Sequence, residues 1–177
     1  MYTHEIKQAV FTAVSETFEA MIFTQIIPSD LPDIGPTSSE LIEANTETPD
    51  SDLIESAFDQ PVFYRSEINL IEPKSALFSM IFPTDLAISI TKNLYGWMEE
   101  NDPPEHLMQD SLAEIINTVT GKLMTILIDN QSTFTLGLPN LKIMKDLSFE
   151  KGEVYSFSTT DNFRFFFIIE GDLLPEE

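Results

Sequence analysis

Apolar side chains recur three and four positions apart in three long stretches of the chain. This spacing places them on one side of an α-helix and leaves polar residues on the other side. It predicts helices over residues 3–26, 83–97 and about 104–129. Thr84 or Asp85 is expected to cap the second helix, because a short polar side chain there can accept hydrogen bonds from the first free backbone N–H groups.

Alternating apolar and polar residues, or short runs that are apolar throughout, predict strands in most of the remaining chain. The predicted strands cover residues 62–71, 76–82, 134–144, 154–158 and 163–170. Turn-forming residues at 72–74 and 159–162 indicate that neighbouring strands pair as antiparallel hairpins. Helices at the front and centre of the chain, with antiparallel strand pairs between them, favour an α+β fold over an alternating α/β fold.

Residues 28–60 interrupt these patterns with a stretch rich in Pro, Ser and Thr. It contains nine acidic residues and no basic residue, which is typical of a loop or an acidic linker. At most one short helix is expected in it, near residues 39–44 or 51–58. The length of 177 residues indicates a single domain, 1–177, with this acidic loop as an insertion within it.

The charge of the chain narrows the range of partners. Thirty acidic and nine basic residues give a formal net charge of −21. Such a field repels phosphate backbones and anionic lipids, so nucleic acid and membrane surfaces are not expected as partners. No apolar run reaches the length of a membrane-spanning helix, and the start of the chain lacks the features of a signal peptide, so the cytoplasm is the expected location. The absence of cysteine excludes disulfides and thiolate metal sites.

The predicted helix at 104–129 presents a polar face with candidate chemistry. Asp110, Glu114, Asn117 and Gly121 fall within about 60° of one another around the helix axis. The opposite side is an apolar stripe formed by Leu112, Ile115, Ile116, Val119, Leu123 and Ile126. A carboxylate one turn from a carboxamide can engage a cation and hold a water molecule at the same time. An ordinary solvated helix surface shows the same pattern, so spacing alone does not separate the two interpretations.

The sequence gives little support for other kinds of catalytic or metal site. The only histidines are His4 and His106, and no cysteine is present, so no catalytic triad is expected. His106 falls on the same helix face as Asp110 and could border the site, although an exposed histidine without a role fits as well. Asp110 and Glu114 lack a third ligand, which makes them a poor pair for a divalent ion, and no metal is expected.

The motif Asp110-x3-Glu114-x2-Asn117, followed after 21 residues by Pro139, resembles the signature of the CheC/CheX/FliY phosphatases of bacterial chemotaxis. The surroundings are most similar to the CheX branch, with a strand running into a helix at residues 77–83 and a strand at 136–139 after the motif helix. The resemblance is good over roughly residues 60 to 145 and looser in the remainder of the chain. It implies a pseudo-twofold α+β fold in which long helices pack on an antiparallel-rich sheet.

The resemblance also implies an activity and a partner. These proteins remove the phosphoryl group from the aspartate of a CheY-like response regulator, which supplies its own Mg²⁺ and lysine, so this chain needs no bound cofactor. By analogy Asn117 would orient the attacking water, and Glu114 would pair with the lysine of the regulator. Asp110 is expected to make a supporting contact, whereas Gly121 allows close approach of the partner or merely helix packing. Pro139 shapes the backbone.

One half of the pseudo-twofold fold is expected to be inactive. The first helix contains Ser15-x3-Glu19-x2-Ile22, which has the spacing of the motif but places an isoleucine where the asparagine should stand. Isoleucine cannot form a hydrogen bond to water. A further departure is Lys122, at a position where relatives often have Asn; it is expected to alter specificity without affecting the Glu114/Asn117 pair.

Two questions stay open at this level. A non-catalytic module that binds receiver domains or a flagellar switch has the same architecture, and only the retained Glu114/Asn117 pair favours the phosphatase. The resemblance also implies a homodimer formed through a shared sheet. Strand 163–170 is apolar on both faces and would leave a sheet edge exposed unless the acidic loop or the tail 171–177 covers it.

Overall fold

Three helices pack on one face of an antiparallel sheet. The structure, a computed structural model, describes residues 2–29, 62–128, 132–147, 149, 151–171 and 173. The helices in these residues are α1 (Tyr2–Ile22), α2 (Thr84–Tyr95) and α3 (Glu105–Leu127). The strands are β1 (Ile26–Ser29), β2 (Phe63–Glu72), β3 (Ala76–Pro83), β4 (Thr135–Leu136), β5 (Asn140–Met144), β6 (Glu153–Thr159) and β7 (Arg164–Gly171).

The described strands form one sheet in the order β1-β6-β7-β3-β2-β4, and β5 also pairs with β2. Every pair is antiparallel. The α+β fold class is therefore confirmed, as are the predicted turn at 72–74 and the C-terminal hairpin. No helix in the described residues is long and apolar enough to cross a membrane.

The main core lies between the helices and the sheet. Its centre is Phe165 of β7, whose ring stacks on Phe18 of α1 with 4.6 Å between ring centroids and 6° between ring planes. Phe82 and Phe157 stack on the same ring from the neighbouring strands, at centroid distances of 5.9 Å and 5.4 Å. Offset stacking of this kind adds to the free energy of burial, so this aromatic cluster anchors α1 on the sheet.

Strand β7 is buried on both faces, as its run of apolar residues indicates. Its second face forms a smaller apolar cluster in which Phe166 and Ile168 pack with Ile81 of β3, and Leu147 and Phe149 pack against them. The expectation that this strand leaves a free sheet edge is wrong, because β7 pairs with β6 on one side and β3 on the other. The outer strands of the described sheet are β1 and the β4/β5 side.

A group of charged side chains lies beside this smaller cluster. Arg65 of β2 contacts Glu170 of β7 at 2.8 Å and its neighbour Glu67 at 2.7 Å. Lys142 of β5 reaches the second oxygen of Glu67 at 2.6 Å. Because Glu67 is only 7% exposed, its charge requires these two cations. The ion pairs connect three strands on the face opposite the helices.

Three predicted boundaries need correction. Helix α1 ends at Ile22 rather than at residue 26, because Phe23 takes a left-handed backbone conformation and the chain then enters β1. The predicted strand 134–144 is divided into β4 and β5, which both pair with β2. Neither Thr84 nor Asp85 caps α2: Pro83 holds the capping position without a side-chain hydrogen bond, and the Thr84 hydroxyl donates to the Val62 carbonyl.

The first two residues of the acidic loop expected at 28–60 form part of a strand instead. Residues 28 and 29 belong to β1, where Pro28 pairs with Phe157 and Ser29 with Ser156. The rest of that stretch, including both candidate short helices, lies outside the described residues, as do residue 129 and most of the tail 171–177.

Candidate active site

Helix α3 carries the candidate motif and begins directly after two prolines. Pro104 precedes its first turn with an extended backbone (φ −62°, ψ 149°), and its carbonyl accepts hydrogen bonds from the N–H groups of Leu107 and Met108. Glu105 places a carboxylate in the first turn, where it complements the positive end of the helix dipole. The helix ends at Leu127, two residues before the predicted end, because Ile128 is extended.

The rotation of α3 about its axis is fixed by its buried side. The buried residues are Met108, Ser111, Leu112, Ile115, Ile116, Val119, Thr120, Leu123 and Met124. Two hydrogen bonds also hold the helix in this rotation. The hydroxyls of Ser111 and Thr91 lie 2.7 Å apart, and the Ser66 hydroxyl donates to the Leu112 carbonyl at 3.2 Å. The predicted apolar stripe is thus confirmed except for Ile126, which is 47% exposed in the last turn.

The opposite side of α3 presents the motif to solvent. Asp110, Glu114 and Asn117 are exposed, and Gly121 is half-buried one turn further on. Among the described residues, no hydrogen bond or ion pair engages the side chains of Asp110, Glu114 or Asn117. A carboxylate and a carboxamide one turn apart are therefore available to a partner. No group of three His, Asp or Glu side chains in the described residues could hold a metal ion.

Helix α1 lies antiparallel beside α3. Near one end of the pair, Ile126 and Leu127 line a groove with several residues of α1 between His4 and Thr12. Further along, Lys122 Nζ contacts Glu16 Oε2 at 2.8 Å across the two helices. The pair lies next to Gly121 and thus borders the motif face. Sequence reasoning missed Glu16, and no local pattern could have found it, because the two partners are 106 residues apart.

The position in α1 that corresponds to Asn117 lies in the core. Ile22 is 2% exposed, whereas Glu19 is exposed and Ser15 is half-buried. The carbonyl of Ile22 accepts a hydrogen bond from Asn93 of α2 at 3.2 Å. An isoleucine at this place serves packing and presents nothing to a partner. The pseudo-twofold relation between the two halves stays a prediction.

The remaining motif residue, Pro139, lies in the connection between β4 and β5. A residue without an N–H group cannot donate to the strand ladder, so it fits the place where β2 changes its partner from β4 to β5. His106 is exposed in the first turn of α3, one turn before Asp110. It borders the motif face, as the helical spacing predicts.

The fold is that of CheC-like chemotaxis proteins. The chemotaxis protein CheX from Desulfovibrio desulfuricans is 16% identical, with a TM-score of 0.61 over 93% of this chain and 97% of that one. A complex of CheX with CheY, BeF₃ and Mg²⁺ from Borrelia burgdorferi is 14% identical in its matched chain, with a TM-score of 0.55 over 92% and 95%. FliY from Thermotoga maritima is 13% identical, with a TM-score of 0.57 over 96% and 88%.

The sequence itself identifies the branch. The family described as "Chemotaxis phosphatase CheX" matches residues 66–159, which is more than half of the chain and includes all of α3. The chain belongs to this family, as the resemblance of its motif indicates. No curated protein matches the sequence significantly.

Proposed function

We propose that this chain is a phosphatase that hydrolyses the aspartyl phosphate of a CheY-like response regulator. The observation that carries the proposal is the exposed Glu114/Asn117 pair on α3, held in a fixed orientation in a member of the CheX family. The similar Borrelia CheX forms a complex with CheY, BeF₃ and Mg²⁺, which supports a receiver domain as the partner here.

The proposed reaction assigns one role to each side chain. Asn117 orients a water molecule for in-line attack on phosphorus, the bond from phosphorus to the aspartyl oxygen breaks, and inorganic phosphate and the free carboxylate result. Glu114 pairs with a lysine of the regulator and fixes the docked position. Mg²⁺ belongs to the regulator, and this chain binds no cofactor. Asp110 adds a supporting contact, and Gly121 permits close backbone approach.

The test is phosphate release from phosphorylated receiver domains of the same organism. Asn117→Ala should abolish the acceleration, whereas Glu114→Ala should chiefly raise KM. Glu19→Ala is a matched control, since Glu19 is an exposed carboxylate on the neighbouring helix next to the buried Ile22, and its removal should leave turnover nearly unchanged. Full activity of Asn117→Ala would contradict the assigned role of this residue.

The second candidate is a non-catalytic module that binds receivers or a flagellar switch, which the likeness to FliY keeps open. Such a module would bind a phosphorylated receiver without shortening the lifetime of its phosphoryl group. A surface that only docks a partner does not require the carboxamide of Asn117 to orient a water molecule. Measuring binding and phosphate release in the same samples separates the two candidates.

We also propose that the protein is a cytoplasmic homodimer joined through a free sheet edge. Among the described strands, β1 pairs with β6 alone and β5 with β2 alone, so each offers an unpaired backbone edge. The net charge of −21 per chain opposes association, more so at low salt. Sedimentation at micromolar concentration and moderate salt should show twice the monomer mass of 20.1 kDa. A single species at the monomer mass would contradict the dimer.

A further inference from the structure

Phe23 is an exposed aromatic residue in a backbone conformation that disfavours it. Its side chain is 84% exposed, and its φ angle of 55° lies in the left-handed region. Glycine is the usual residue at this position after a helix, because a side chain with Cβ is strained there. A bulky residue in this conformation strains the backbone. Phe23 therefore serves neither the core nor the turn.

The turn around Phe23 is held by three hydrogen bonds. The backbone N–H of Thr24 donates to the Phe18 carbonyl at 3.3 Å. The carbonyl of Ile22 accepts from the Thr24 hydroxyl and from the Asn93 side chain, each at 3.2 Å. Because Asn93 belongs to α2, the end of α1 is tied to a second helix. The backbone that presents Phe23 is therefore fixed on both sides.

The register of the two long helices places the end of α1 level with the motif. Glu16 of α1 is level with Lys122 of α3. Since the helices are antiparallel, two turns forward from Glu16 reach residue 23, and two turns back from Lys122 reach residues 114 and 115. Counted along the two helices in this way, the end of α1 lies at the same level as Glu114. The exposed Phe23, directly after α1, thus lies at the level of the surface that the proposed phosphatase presents to its partner.

We propose that Phe23 anchors the receiver domain of the response regulator, by packing on an apolar patch next to the phosphorylated pocket. This inference rests on the proposed function and extends its docking surface from α3 to the end of α1. The surface around Glu114 is acidic, with Asp110 on α3 and Glu19 on α1 also exposed. Such a face attracts a basic partner, but exposed charges add little to affinity. A few side chains buried at the centre of an interface supply most of its affinity, and aromatic residues are enriched there.

The left-handed backbone supplies a clean test variant. Phe23→Gly removes the ring and at the same time relieves the backbone, so the folded state should be as stable as the wild type or more stable. Phe23→Asn serves as a second variant, because asparagine also tolerates this conformation. Ile27→Ala is the matched control: Ile27 is 58% exposed and lies in β1, on the side of the sheet opposite the helices.

The measurement is the Kd for a CheY-like receiver domain of the same organism, loaded with Mg²⁺ and BeF₃⁻, together with kcat at saturating phosphorylated receiver. Phe23→Gly and Phe23→Asn should each raise Kd about tenfold or more, which corresponds to about 1.4 kcal/mol, and leave kcat unchanged. Ile27→Ala should change Kd by less than about twofold. Sedimentation of all variants checks that association of the chain is unaltered.

The outcomes separate this inference from the proposed function. If both Phe23 variants bind as tightly as the wild type, or if Ile27→Ala weakens binding equally, Phe23 is not an anchor and the phosphatase proposal stands. If the wild type binds the receiver but releases no phosphate, the phosphatase proposal fails and the Kd values still decide the role of Phe23. If the wild type binds none of these receivers, both proposals fail.

Discussion

Ile116 and Asn117 are neighbours in α3 whose substitution should have opposite effects. Ile116 is completely buried, and Asn117 is exposed. Ile116→Ala should lower the free energy of unfolding by about 2–5 kcal/mol, because it removes buried methyl groups and leaves a cavity. For a chain of this size the melting temperature should then fall by roughly 4–20 °C. Asn117→Ala should change stability by no more than about 0.5 kcal/mol, in the stabilising direction, since alanine is the better helix former.

The effects on activity should be reversed. Asn117→Ala should lower phosphate release by about a hundredfold or more, because the attacking water loses its orienting group. Ile116→Ala should retain turnover within a few-fold of the wild type at temperatures well below its melting transition. The motif face stays in place as long as the remaining buried residues hold the rotation of α3.

Urea unfolding gives the stability change, and phosphate release at a temperature where both variants are folded gives the activity. A loss of more than about 1 kcal/mol on Asn117→Ala would refute the reasoning, because an exposed side chain without a hydrogen bond should not support the fold. Loss of turnover in fully folded Ile116→Ala would also contradict the reasoning. It would show that the position of the exposed motif residues depends on the packing of Ile116 beneath them.

Two further predictions concern contacts elsewhere in the structure. Burial and the 2.6 Å hydrogen bond to Glu153 raise the pKa of Tyr155 above its ordinary value of 10. The folded state therefore holds this proton more tightly than the unfolded state, and stability should fall as the pH rises above 10. The melting temperature of Tyr155→Phe should depend less on pH in this range, and an equal dependence would contradict the assignment. The side chains of Lys122 and Glu16 are 37% and 56% exposed, so their ion pair should stabilise the fold only slightly. A double-mutant cycle with Lys122→Asn and Glu16→Gln should give a coupling free energy of no more than about 1 kcal/mol. A larger coupling would show that the pair is more desolvated.

Elements whose burial follows one regular period were predictable from the sequence. Helix α3 repeats apolar residues from Met108 to Met124 at helical spacing, and the sheet and neighbouring helices cover that side. The hairpin of β6 and β7 combines a run of apolar residues with a short polar turn at 159–162, and both features are local. In such segments the tertiary structure reinforces what the neighbouring residues favour.

Boundaries set by distant residues were not predictable. The apolar residues Ile26 and Ile27 continue the helical pattern of α1, so the sequence suggests a longer helix. The structure ends the helix at Ile22, where Asn93 of α2 binds the last carbonyl and Phe23 reverses the backbone. The pairing partner of β1 is β6, more than 120 residues away. No window of neighbouring residues contains that information.

The same distinction divides the candidate site into two parts. Glu114 and Asn117 carry the proposed chemistry and lie on one helix, so their spacing alone reveals them. Glu16 lies on α1 and Phe23 directly after it, and both come to the level of the motif only through the register of α1 against α3. If the chemistry is local and the docking surface is not, relatives that share the motif but differ in α1 should act on different regulators. Exchanging the end of α1 between two such relatives should then exchange which regulator each one prefers. The turnover at saturating regulator should not change, because it depends on α3.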